Sequence, residues 1–160
     1  MKPLLLLDVD GVLNPLGVSD APGFTTQRVG GMRVLLSTTH GRWLRELADV
    51  FDLTWATSWE RDADLIAERI GLPVGLPAIT FTGQTEWTVK LPDVMEYVGH
   101  RALAWVDDQL GPEVHAWAIS RPAPTLLIET DSRVGLTEAQ VERLRTWASR
   151  PMDPQGRVGQ

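Results

Sequence analysis

The chain has 160 residues, 43% of them apolar and 22% charged, which fits a globular domain and excludes a disordered or fibrous chain. Fifteen basic against twenty-one acidic residues give a formal net charge of -6, which disfavours a broad electrostatic grip on nucleic acid and leaves room for a local basic groove. With no cysteine, disulfides, thiolate chemistry and cysteine-bound zinc are excluded.

The first apolar run, Leu4-Leu5-Leu6-Leu7, stops at Asp8. It is too short for the core of a signal peptide, and no stretch approaches the roughly 20 apolar residues that cross a bilayer. The expectation is a cytoplasmic protein with no membrane partner. Residues 4–7 have the length and unbroken apolar character of a strand buried on both faces. Residues 25–39 alternate polar and apolar on either side of Gly30-Gly31 and read as a β-hairpin. Helical spacing over 41–51 places Trp43, Leu44, Leu47, Ala48 and Phe51 on one side.

A second strand is expected at 53–56. A helix follows over 60–70, with Ala63, Ile66, Ala67 and Ile70 on one face and Gly71 as its cap. Residues 78–81, between Pro77 and Gly83, are a weaker strand candidate. Beyond it come a helix at 91–98, a strand at 103–106, a helix at 110–120 and a strand at 125–128. The last helix, 137–149, has Thr137 as N-cap with Gln140 completing a capping box. Strands alternating with helices imply βαβ units, a parallel sheet and the α/β class. One domain over 1–150 is expected, with a frayed tail at 151–160, rich in Pro, Gly and polar residues.

In an open α/β sheet, ligands bind beyond the carboxyl ends of the strands, so the residues after each apolar run carry the chemistry. After the first come Asp8-Val9-Asp10-Gly11-Val12, after the second Thr57-Ser58, and after 103–106 Asp107-Asp108; Lys90 precedes a helix. Carboxylates repel a phosphate dianion unless a cation stands between them. Mg²⁺ takes one or two carboxylates with waters and phosphate oxygens, and Asp8, the Asp10 carbonyl and Asp108 suit it. Asp8 could then attack phosphorus and form an aspartyl-phosphate. Asp10 could protonate the leaving group and later deprotonate water. Thr57 or Ser58 would hydrogen-bond the phosphoryl oxygens, and Lys90 would neutralise charge on them and on Asp8. Gly11 permits a tight turn beside the ligand.

In this order the motifs resemble those of the haloacid dehalogenase superfamily: Asp8-Val9-Asp10-Gly11-Val12 the first, Thr57-Ser58 the second, Lys90 the third and Asp107-Asp108 the fourth. The resemblance spans roughly residues 4–130. It implies a Rossmann-like three-layer sandwich with sheet order 5-4-1-2-3, a hairpin flap after the first strand, and Mg²⁺-dependent phosphatase chemistry. Metal-transporting ATPases of the superfamily carry Thr where Asp10 stands, and true dehalogenases lack that second Asp, so Asp10 points to phosphatase or mutase chemistry. The short intervals between motifs look like the capless type, whose open site accepts bulky substrates. The stretch 7–15 is similar to a subgroup associated with RNA-repair proteins. Within the Asp107-Asp108 pair the resemblance leaves the direct metal ligand open; we favour Asp108, with Asp107 in support.

Of the seven tryptophans, Trp43, Trp55, Trp105, Trp117 and Trp147 read as core, whereas Trp59 and Trp87 lie close to motifs and could line an entrance or stack on a base. His40, His100 and His115 have no metal-ligand spacing and read as surface or capping residues. The leading expectation is a capless phosphomonoesterase acting on a phosphorylated substrate of unspecified identity, its oligomeric state open. The runner-up is a polynucleotide-end phosphatase, favoured if Arg28, Arg33 and Trp59 make a groove. From another class, the fold could serve as an idle binding domain, against which the retention of Asp8, Asp10 and Lys90 argues.

Overall fold

Side chains alternate along a strand, so four consecutive leucines must face both sides of a sheet. In the computed structural model, which describes residues 1–83 and 89–152, they form β1 (Leu4–Leu7) inside a parallel sheet. Leu5 and Leu7 enter one apolar cluster, and Leu4 and Leu6 enter another. Strand β1 is flanked by β4 (Asp52–Trp55) and β5 (Leu103–Asp107), and β6 (Thr125–Glu129) lies beyond β5. All pairings are parallel.

The order β6-β5-β1-β4 reproduces four of the five expected positions. The fifth, at 78–81, is reduced to a parallel bridge between Trp55 and Ala78. Pro77 has no N–H to extend the ladder. The Phe81 amide donates to Glu60 Oε1 at 3.2 Å, away from the strand.

Helices α1 (Thr38–Leu47), α2 (Ala63–Ile70, after a 3-10 turn at Glu60–Asp62) and α5 (Glu138–Ala148) contribute Leu44, Leu47, Ile66, Ile70, Val141 and Leu144 to the first cluster. Helices α3 (Leu91–Val98) and α4 (Pro112–Ser120) contribute Val94, Val98 and Val114 to the second. The result is three layers. Helix α1 begins earlier than its apolar spacing predicts, because Ser37 caps it by accepting from the Thr39 amide at 3.2 Å. The expected capping box of α5 is present, with Gln140 N to Thr137 Oγ1 at 3.3 Å and Thr137 N to Gln140 Oε1 at 3.0 Å. Trp147 stacks on Phe51, with ring centroids 6.1 Å apart.

The hairpin joins β2 (Thr25–Val29) to β3 (Met32–Leu36) through Gly30 and Gly31, whose φ of 56° and 80° a two-residue turn demands. Together with α1 it accounts for the interval between β1 and β4, where a large cap would otherwise stand. Among the described residues, no helix is long and apolar enough to cross a membrane. Residues 84–88, which include Trp87, and 153–160 of the expected tail lie outside the described residues.

Candidate active site

The parallel register aligns strand ends: Leu7 sits opposite Trp55 and Val106, and Asp107 opposite Glu129. Asp8, Thr57, Asp107 and Glu129 therefore gather at one edge of the sheet. Lys90, at the start of α3, reaches into the same edge. Its Nζ lies 3.1 Å from Asp8 Oδ2 and 2.6 Å from Asp107 Oδ2, and donates to the Ala56 carbonyl at 3.0 Å. Those contacts match the three donors of an ammonium. Burial alone would lower the Lys90 pKa, but Asp8 and Asp107 outweigh it and hold it above the ordinary lysine value.

Burial pushes the Asp8 carboxyl up to about 7; Lys90 opposes this rise and Asp107 adds to it. The Val9 amide donates to Asp8 Oδ1 at 2.7 Å. Asp107 is 2% exposed. Its Oδ2 meets Lys90 and its Oδ1 accepts from the Gln109 amide at 3.0 Å, so both oxygens have protein partners. Asp108 is less buried, and burial followed by repulsion from Asp107 raises its carboxyl to about 6. Asp8, Asp107 and Asp108 each offer an oxygen, all within 4.8 Å of one another, a donor set that fits a hard divalent cation.

Gly11 is required twice over. Its φ is +78°, and a Cβ there would stand 2.3 Å from Asp108 Oδ2. The loop after β1 thus passes directly beside that carboxylate. Its position is secured by the Thr130 hydroxyl, which donates to the Gly11 carbonyl at 2.7 Å, while Thr130 N donates to the Asp107 carbonyl at 3.0 Å.

Asp10 receives two donors: Asn14 Nδ2 to Oδ1 at 2.8 Å and Trp59 Nε1 to Oδ2 at 3.0 Å. The two hydroxyls after β4 differ. Ser58 is exposed and lines the cleft, whereas Thr57 is fully buried, its Oγ1 accepting from the Trp59 amide at 3.3 Å. The cleft measures about 560 Å³, and Leu16, Leu91, Leu110 and Val114 give it apolar walls beside the charged residues.

Asp8, Asp10, Ser58, Lys90, Asp107 and Asp108 converge on this cleft; Thr57 and Gly11 lie behind its surface. The expected groove of Arg28, Arg33 and Trp59 does not form part of it. Arg28 donates to the Gly31 carbonyl and Arg33 to that of Ser19, while the Trp59 indole turns to Asp10. His40 departs from its surface reading: it is 2% exposed, packed between Phe24 and Trp43, with Nε2 2.8 Å from the Leu136 carbonyl. Sequence reasoning missed Asn14 and Glu129. Asn14 stands within the 7–15 stretch, and Glu129 ends a strand as Asp107 does, which was the available signal.

A parallel α/β sheet whose carboxyl edge holds an acidic, lysine-bridged cleft defines a Rossmann-like domain of the haloacid dehalogenase (HAD) type. The model of the HAD domain in Swiss Army Knife RNA repair proteins matches residues 4–141, from β1 into α5, and the chain belongs to that family. Comparison with curated proteins finds no match.

Proposed function

We propose that the protein hydrolyses phosphomonoesters through a covalent phosphate on Asp8. The observation that carries this is the placement of Asp8: it lines the cleft, bonded to Lys90 and grouped with Asp107 and Asp108. An Asp8 oxygen attacks phosphorus, the bond to the leaving oxygen breaks, and Asp10 supplies the proton that oxygen needs. Water then attacks the phosphorus and surrenders a proton to Asp10. The Asp8–phosphate bond breaks, and phosphate and free carboxylate are restored. Of the two hydroxyls, Ser58, exposed in the cleft, donates to phosphoryl oxygens, while Thr57 stays buried behind it and Lys90 offsets the charge of those oxygens and of Asp8.

Asp8 and Asp108, with the Asp10 carbonyl, would hold Mg²⁺, and Asp107 would support them from Lys90 and the Gln109 amide. The ion would supply positive charge between the carboxylates and the phosphate dianion. Phosphate release from small phosphate esters, phosphopeptides and 3′- or 5′-phosphorylated oligonucleotides, assayed with Mg²⁺, tests the reading. Turnover by the wild type that Asp8→Asn abolishes is expected; equal release by the two refutes it.

A second reading, phosphatase action on RNA ends, is favoured by the matched family, whose description places such domains in RNA repair proteins. Glu113 and Glu129 on the cleft wall would repel a backbone lying across it, so a terminal phosphate would enter alone. Preference for oligonucleotides over small esters at equal concentration supports this reading, and the reverse preference removes it.

A further inference from the structure

Asp10 is held at both oxygens by side chains to which the hydrolytic scheme assigns no part. Asn14 is 5% exposed, and both its main chain and its side chain are fixed by hydrogen bonds. Its main-chain N donates to the Val9 carbonyl at 3.0 Å, and its carbonyl accepts from Gly11 N at 2.8 Å. The side-chain Oδ1 accepts from the Leu35 amide of β3 at 2.8 Å. A main-chain N–H can only donate, so the orientation of the Asn14 side-chain amide is settled and Nδ2 must face Asp10. Trp59 is equally constrained. Its indole N–H can only donate, its main-chain amide bonds to Thr57 Oγ1, and its ring packs against the core.

We propose that Asn14 and Trp59 are positioning residues that aim the Asp10 carboxyl for proton transfer. A carboxyl group turns readily about its last torsion, and one donor on each oxygen removes that freedom. Each oxygen keeps a second lone pair for the travelling proton. Both donors are neutral, so they orient Asp10 without adding a cation that would compete with that proton; the lysine of the site is engaged with Asp8 and Asp107 instead. Through Leu35 the hairpin is also tied to the acid, across 21 residues of sequence.

This inference rests on the hydrolytic reading of Asp8 and Asp10. The test compares p-nitrophenyl phosphate, whose leaving group departs without a proton, with ethyl phosphate, whose leaving group needs one. Trp59→Phe and Asn14→Ala should lower the single-turnover rate of ethanol release from ethyl phosphate by about 10- to 100-fold, the range expected for a misplaced catalytic group. They should change the single-turnover rate of p-nitrophenolate release by less than about threefold, since that step, unlike the later attack of water, needs no proton from Asp10. Neither change should add to Asp10→Asn. Equal losses in the single-turnover release of both leaving groups overturn the positioning role. Turnover that survives Asp8→Asn overturns the hydrolytic reading instead, which separates the two failures. The contact is also readable without turnover: the Trp59 indole N–H resonance, assigned by its loss in Trp59→Phe, should shift in Asp10→Ala. An unmoved resonance overturns the proposal.

Discussion

Replacing Lys90 by Met removes the cation that two buried carboxylates share while keeping most of the side-chain stem. Asp8 and Asp107 have side chains 9% and 2% exposed, and their contacts to Nζ are 3.1 and 2.6 Å. Removing one partner of a buried pair costs about 3–5 kcal/mol, because an uncompensated charge stays behind. Protonation relieves that charge, so the loss must depend on pH. In the intact site, burial already raises the Asp8 carboxyl to about 7 against the opposing pull of Lys90, and without Lys90 it rises further. A folded-state pKa above the unfolded value means that the native protein binds more protons than the unfolded chain. Stability then falls as pH rises from the ordinary carboxylate value through the folded one. Urea unfolding without divalent cations should show the full deficit of about 3–5 kcal/mol near pH 8.5 and a clearly smaller one near pH 5.5. A deficit below about 1 kcal/mol at the higher pH, or the same deficit at both, would refute the charge argument.

Mg²⁺ affinity should rise with pH across the range where Asp8, at about 7, and Asp108, at about 6, lose their protons, since only the ionised oxygens bind the cation. Calorimetry in buffers of different ionisation heat should register the released protons, and affinity independent of pH would count against this ligand set. Burial lowers the His40 pKa below 6.5, so His40 contributes stability above that value and loses it as pH falls through the interval beneath. His40→Gln, which keeps a donor for the Leu136 carbonyl but does not titrate, should narrow its stability difference from the wild type, or reverse it in its own favour, as pH is lowered. A difference that does not change with pH would show that His40 tolerates protonation where it is.

What could be read in advance follows from how local each cause is. Strand β1 was legible because four leucines buried on two faces leave a continuous apolar run, and the acid after it marks the strand end. The same logic located Asp107 and Asp108 after β5. The strand at 78–81 was only partly legible, since its truncation depends on a side chain, Glu60, that captures the Phe81 amide from 21 residues away. His40 looked like a surface residue because its partners come from Phe24 and from Leu136, 96 residues on. Trp59 drew notice for standing near a motif, but its hydrogen bond spans 49 residues, and adjacency in sequence suggested an entrance instead of Asp10. Patterns of burial and strand ends are written locally; side-chain partnerships across the fold are not.

The charge balance of the cleft joins these observations. Among the described residues, Asp8, Asp10, Asp107, Asp108, Glu113 and Glu129 line it against Lys90 alone. Lys90 contacts Asp8 and Asp107, and neutral donors satisfy Asp10. Glu129 Oε1 accepts from the Leu110 amide at 2.8 Å. Asp108 is left beside the Gly11 loop, next to Asp107, with its carboxyl raised by burial and repulsion. A group in that position lowers its energy either by keeping a proton or by meeting a cation. The raised carboxyls of Asp8 and Asp108 thus follow from burial and repulsion in a cleft that sets six carboxylates against one lysine, and the cluster they form with Asp107 is compatible with metal binding.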